Sequence, residues 1–224
     1  MGRRAATGHR SRPRIEREAP KVRDLPKPRK NQSAAGGAVQ WIFQWPYRAI
    51  LAFLIWARVR PWHLTVLALV LNVATGALIL GGRWFVAGCV LVLAGLCDVF
   101  DGAVARHHGQ QKRSGAFLDA VLDRVADAIL FACLFWALAE DGRRLDAALA
   151  LFTLVVSLSV SHVRAEAEAV GVQLTEGLFQ RLERFLALIV GLVVPGAMTP
   201  VLLVLATLGA LTAVQRGWSA LVRA

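Results

Sequence analysis

Cysteine is scarce in this chain, and its three copies form no pattern. Cys89, Cys97 and Cys133 all fall within apolar runs, with no CxxC pair and no Cys/His spacing. That excludes a disulfide framework and a cysteine-held zinc site, and it leaves the three as small buried hydrophobes. Acidic residues are also few, 15 Asp and Glu against 26 Lys and Arg, for a net charge of +11. The alternating apolar and polar pattern of a β-barrel is missing, because the apolar runs are continuous. The N-terminus has no signal-peptide core, since its first apolar run begins only around Val39. The first crossing helix is therefore expected to serve as its own insertion signal.

Apolar sequence, by contrast, is abundant. Hydrophobic residues make up 56% of the 224 positions, and the mean hydropathy is +0.52. Apolar stretches of about 20 residues recur, each long enough to cross a hydrocarbon core of roughly 30 Å. The expected fold is all-α: a polytopic membrane protein with six transmembrane helices and an N-terminal interfacial helix. The spans fall at about 62–81, 84–106, 115–139, 144–168, 178–195 and 198–215, and Gly81-Gly82, Gly142 and Pro195-Gly196 punctuate the short turns. Three regions follow. Residues 1–38 are expected to form a disordered basic tail, residues 39–60 an interfacial amphipathic helix, and residues 61–217 a six-helix transmembrane domain.

The charges orient these spans. Residues 1–30 hold eleven Lys and Arg against Glu16, Glu18 and Asp24. Lys112, Arg113, Arg181, Arg184, Arg216 and Arg223 fall on the same side as this tail. Arg83, Arg143 and Arg144 fall on the other, offset by Glu140, Asp141 and Asp146. The positive-inside rule then places both termini and the 106–115 connection in the cytoplasm. No base-reading module accompanies the basic tail, so nucleic acid is not an expected partner; anionic headgroups or plain solvation suit the tail better. Trp41, Trp45, Tyr47 and Trp56, interleaved with Arg48, Arg58 and Arg60, suit a helix lying along the bilayer surface.

Ionisable groups inside membrane spans are costly, and they concentrate here in one stretch. Asp98 and Asp101 lie at i, i+3, while Asp119 and Asp123 lie at i, i+4, so each pair shares a helix face. If the two helices are neighbours, four carboxylates meet, and a cation should sit among them. Carboxylate-only ligation selects hard ions such as Mg²⁺ or Mn²⁺, and two divalent ions suit displacement at phosphorus. Gly102 and Ala105 leave one helix face bare, Arg106 offers a phosphate-binding fork, and Gly115 opens the facing helix. Asp127 continues the row one turn deeper and could be a structural hydrogen-bond partner or a support to the site. A cation or proton transporter would also use intramembrane carboxylates, but it would distribute them through the bilayer depth. Here they cluster beside Lys112 and Arg113.

The pattern Asp-x2-Asp-Gly-x2-Ala-Arg-x8-Gly-x3-Asp-x3-Asp is met at every fixed position from Asp98 to Asp123. It resembles the signature of the CDP-alcohol phosphatidyltransferase family, and the resemblance covers about residues 40–215. It implies a membrane-embedded, homodimeric enzyme of the plasma membrane. Such an enzyme moves a phosphatidyl group from CDP-diacylglycerol to an alcohol and releases CMP. It further implies metal ligation by Asp98, Asp101, Asp119 and Asp123, with Asp123 as the base that deprotonates the acceptor hydroxyl. The CDP moiety would be held by Asp98, Asp101, Gly102, Ala105, Arg106 and Gly115. Pro61-Trp-His-Leu64-Thr65 resembles the family's opening of the first span, which adds Thr65 to the nucleotide site.

The acceptor half is written elsewhere. Ser161-His162-Val-Arg164-Ala-Glu166 leading to Gln180-Arg181-Leu-Glu183-Arg184 is similar to a segment of the phosphatidylinositol-phosphate synthases within that family. The likeness implies that Arg164, Arg181 and Arg184 bind the acceptor's phosphate. Glu166 stands where those enzymes carry an arginine, a charge reversal that should weaken phosphate binding. A phosphorylated polyol is the expected acceptor, inositol phosphate before glycerol phosphate. Synthesis of phosphatidylglycerophosphate, of cardiolipin or of another CDP-alcohol product is the alternative.

Overall fold

The computed structural model describes residues 47–107, 113–172 and 181–223. The expected tail, the whole 39–46 stretch, the 108–112 connection and residues 173–180, where the expected 178–195 span begins, lie outside the described residues. Seven helices and no strands occur among those described. They are α1 (Tyr47–Trp56), α2 (Pro61–Leu80), α3 (Trp84–His107), α4 (Arg113–Glu140), α5 (Arg144–Ala169), α6 (Arg181–Val193) and α7 (Met198–Arg223). Four of them, α2, α3, α5 and α7, are long and apolar enough to cross a membrane. Helix α4 has 28 residues but carries Asp119, Asp123, Arg124 and Asp127 within its first 15, and α6 is 13 residues as described.

The turns form where glycine permits them. Gly82 and Gly142 adopt φ of 69° and 73°. Past each, the chain closes back with a long-reach backbone bond, Arg83 N–H to the Leu78 carbonyl and Arg143 N–H to the Leu138 carbonyl, both 2.9 Å. This is the left-handed glycine stop that satisfies the last carbonyls of a helix, and it reverses the chain within three residues. Arg58 also has a left-handed backbone, φ 55°, which separates α1 from α2 and shows that α1 is no extension of the first span. Pro61 opens α2, where its missing N–H costs nothing.

Helix α2 packs on α3 and α4, α5 packs on α4 and α7, and α6 fills the space between α3 and α7. The main core joins Leu91 of α3, Leu134 and Leu138 of α4 and Leu202 and Leu205 of α7, all fully buried. Close approach depends on missing side chains. A Cβ on Gly95 would lie 2.4 Å from Cε1 of Phe185, so only glycine lets α6 settle against α3 at this level. A second, smaller core forms behind the motif helix, where Tyr47 and Leu51 of α1 cover Phe100, Ala103 and Val104. The Tyr47 and Phe100 rings stack at 5.3 Å.

The outer surface is apolar, with Val70, Phe85, Trp136, Val155, Val214 and Trp218 all more than half exposed. A water-soluble surface of this extent would be anomalous, whereas a lipid-facing one is not. The same fact corrects the expectation for the cysteines: Cys89 is exposed and Cys97 and Cys133 are half-buried, since apolar residues of a span need not enter the protein core. Helix α7 runs eight residues past the expected end of the last span, so Arg216, expected beyond that end among the charges on the tail's side, is a helix residue with 9% of its surface exposed.

Candidate active site

The carboxylates of the motif lie where α3 ends and α4 begins. Asp98 from α3 and Asp119 and Asp123 from α4 bring carboxylate oxygens within 4.8 Å of one another, each side chain half-buried. The helical spacings account for this: i, i+4 stacks Asp119 and Asp123 on the face of α4 turned to α3. Asp101 is the exception to the expected foursome. Its carboxylate is buried and does not join the group of three. It accepts a 2.7 Å hydrogen bond from the Thr65 hydroxyl of α2, while Asp98 and Asp119 act on it electrostatically. Thr65 thus reaches the site, but through a carboxylate.

The bare face expected from the small residues is present. A Cβ added at Gly115 would meet nothing within 4 Å, and one added at Gly102 would meet only the Arg106 guanidinium, at 3.3 Å to Nη1. A flat ligand can therefore approach both backbones, with Arg106 beside it. Ala105 is half-buried on the same turn as Arg106.

The acceptor candidates divide. Arg164 is exposed and pairs with Glu168 along α5 at 2.9 Å, and Glu166 lies 3.9 Å from His162 on the same exposed stretch. Arg184 is mostly buried; it donates to the Ser157 hydroxyl and lies 4.0 Å from Asp127. Ser157 donates in turn to Asp127 at 3.1 Å. Asp127 therefore serves as a hydrogen-bond partner linking α4 to α5 and α6. The side chain of Arg181 lies outside the described residues. Arg124 adds a further tie, donating to the Ser161 carbonyl at 3.2 Å.

Sequence reading missed Arg216. Its buried guanidinium is close enough to Arg164 and Arg184 for both to act on it electrostatically. Arg164 of α5 and Arg184 of α6 thus lie within electrostatic reach of Arg216 of α7. The Gln215-Arg216-Gly217 run looks like the end of a span, and only the continued helix turns Arg216 inward.

A sequence model of the CDP-alcohol phosphatidyltransferases matches residues 58–216. The chain belongs to that family. It is an integral membrane protein, and the matched residues include the carboxylate group just described. Among characterised relatives, the phosphatidylinositol phosphate synthase of Mycobacterium marinum is 38% identical over 134 residues, which span 58% of this chain and 57% of that protein. The chain thus matches little more than half the length of that relative. The Mycobacterium tuberculosis enzyme of the same name is 36% identical over 167 residues, 70% of this chain and 76% of that one. An archaetidylinositol phosphate synthase of Methanothermobacter thermautotrophicus is 35% identical, covering 64% and 70%. The crystal structure of the M. tuberculosis phosphatidylinositol phosphate synthase with CDP-DAG bound superimposes with a TM-score of 0.70 at 32% identity, covering 77% of this chain and 92% of that one. The same enzyme has been seen in complex with manganese and citrate, with a TM-score of 0.69 at 32% identity over 77% and 87% of the two chains.

Proposed function

We propose that this family member transfers a phosphatidyl group from CDP-diacylglycerol to a phosphorylated polyol, inositol phosphate first, with release of CMP. The observation that carries this reading is the grouping of Asp98, Asp119 and Asp123 within 4.8 Å, next to the open backbone at Gly115. Three oxygen-only donors in a partly buried setting fit a hard divalent cation and little else. Asp98, Asp119 and Asp123, with Asp101 after release from Thr65, would hold two such ions, Mg²⁺ or Mn²⁺. When bound, they would neutralise the donor's phosphates and ease ionisation of the acceptor hydroxyl.

The chain's own residues account for the remaining roles. Gly102 and Gly115 admit the nucleotide to the backbone, and Ala105 keeps the same face low. Arg106 pairs with a donor phosphate through two parallel N–H bonds. Asp123 accepts the proton of the acceptor hydroxyl as that oxygen forms its bond to the lipid-side phosphorus and the bond to CMP breaks. Arg164, Arg181 and Arg184, joined by Arg216, attract the acceptor's own phosphate. The Asp127 contact with Arg184 and the exposed Glu166 both reduce that attraction, which keeps glycerol phosphate and other CDP-alcohol reactions as the second reading.

The membrane arrangement completes the proposal. Helices α2 to α7 form six spans, α1 lies in the interface, and both termini and the carboxylates face the cytoplasm of a plasma-membrane protein. The exposed Phe53 and Trp56 of α1 support its interfacial position, and the domain limits 1–38, 39–60 and 61–217 follow. Homodimerisation is the family expectation. Purified protein given CDP-diacylglycerol and Mg²⁺ or Mn²⁺ should release CMP with inositol phosphate, and a chelator should stop it. Absence of CMP across inositol phosphate, glycerol phosphate, inositol, serine and phosphatidylglycerol would reject the donor assignment.

A further inference from the structure

The end of the bundle remote from the carboxylates has a feature the transfer reaction does not use. From Trp84 to Asp98, α3 rises roughly 21 Å at 1.5 Å per residue. At its start, the α2–α3 and α6–α7 turns, joined by Arg143, surround a cavity of about 460 Å³. Arg83, Trp84, Phe85, Arg143 and Val194 are among its walls.

The charge there is positive and partly uncommitted. Arg143 donates through Nε to Asp146 Oδ2 at 2.8 Å and through Nη2 to the Thr199 hydroxyl at 3.3 Å, so its position is fixed. Asp146 offsets much of its charge. Arg83 is exposed, and its guanidinium has no polar partner among the described residues. The first intrahelical bond of α3 is Ala87 N–H to the Arg83 carbonyl, 2.9 Å. The amides of Trp84, Phe85 and Val86, all wall residues, therefore have no acceptor within the helix. Arg83, the anchored Arg143 and the helix start all line this one space, a donor set that suits an anion.

The walls identify the kind of anion. Phe85, Val86 and Val194 are exposed and continuous with the apolar outer surface. Trp84 sits at the level where tryptophan anchors a span to the headgroup region. A free phosphate would use the arginines and leave this apolar rim unused. A phospholipid uses both, with its phosphate among the cations and its chains along Phe85 and Val194. We infer that this cavity seats the headgroup of an anionic phospholipid from the leaflet opposite the one that supplies the catalytic substrate.

The full chain, purified with EDTA so that the carboxylate site is silent, is titrated with phosphatidylglycerol, phosphatidylcholine or soluble glycerol phosphate. Native mass spectrometry and thermal unfolding are the readouts. Phosphatidylglycerol should bind and raise the melting temperature, whereas phosphatidylcholine should do so about tenfold less effectively. Arg83→Gln should weaken phosphatidylglycerol binding about tenfold and Arg83→Lys should retain most of it, with CMP release in the presence of metal unchanged in both. Equal lipid binding by Arg83→Gln and the unaltered chain would overturn the inference. So would full protection by glycerol phosphate that Arg83→Gln abolishes, which would mark this cavity as a site for a free anion. A change of oligomeric state in Arg83→Glu would also overturn it, because the occupant would then be a second copy of the chain.

Discussion

The hydroxyl of Thr65 on α2 donates to Oδ2 of Asp101 on α3 at 2.7 Å, and so holds the one motif carboxylate that stands apart from the other three. Thr65 also reaches back to the Pro61 carbonyl at 3.2 Å, which fixes its rotamer. Removing the donor leaves a buried carboxylate without its partner, a loss of about 1–3 kcal/mol. Thr65→Val is expected to change the apparent metal affinity by about tenfold or more while leaving the fold intact. Thr65→Ser should restore it. A metal titration of CMP release checks both.

Asp123 is the residue on which proton removal depends. Asp123→Asn keeps the shape and loses the base, so turnover should fall by about 100-fold or more. CDP binding, measured as a ligand-induced rise in melting temperature, should survive. Near-normal turnover would move the base to another carboxylate.

Two glycines separate fold from function. Gly115 has open space above its Cα, so Gly115→Val should melt close to the unaltered protein yet lose most CDP binding. Gly95 lies beneath Phe185, so Gly95→Val forces that ring away from α3 and should cost about 1–3 kcal/mol of stability. Thermal unfolding with and without CDP distinguishes the two outcomes.

Acceptor choice is tested on α5 and α7. Arg216→Gln should raise KM for a phosphorylated acceptor about tenfold and leave KM for the CDP donor nearly unchanged, since only one of the two substrates would touch it. Glu166→Arg reverses a charge on an exposed turn and should lower the same acceptor KM several-fold. Steady-state CMP release at varied acceptor concentration reads both.

Much of this was legible before any coordinates. The turns followed from Gly82 and Gly142, whose left-handed backbone is a local requirement, and the pairing of Asp119 with Asp123 followed from helical spacing. What escaped depended on partners distant in the chain. Nothing near Asp101 signals that it will turn toward Thr65, 36 residues earlier. The Asp127–Ser157–Arg184 contacts need three helices in place before any of them exists. Arg216 resembled an interfacial anchor because span-end chemistry and buried-arginine chemistry look the same in a linear sequence. The cysteines misled for a different reason: in a membrane, apolar and buried are separate properties.

Phe100 and Asp101 are adjacent, and they are engaged by different neighbours, the Tyr47 ring of α1 and the Thr65 hydroxyl of α2. One and a half turns earlier, Gly95 receives Phe185 of α6. Three separate elements thus index the same short length of α3, and a rotation or slide of that helix would disturb all three contacts. Innovation in substrate range is thereby channelled away from the motif. His162, Arg164 and Glu166 point outward and bond only along their own helix among the described residues, so α5 can exchange charge and accept a new alcohol while the donor chemistry on α3 stays as it is.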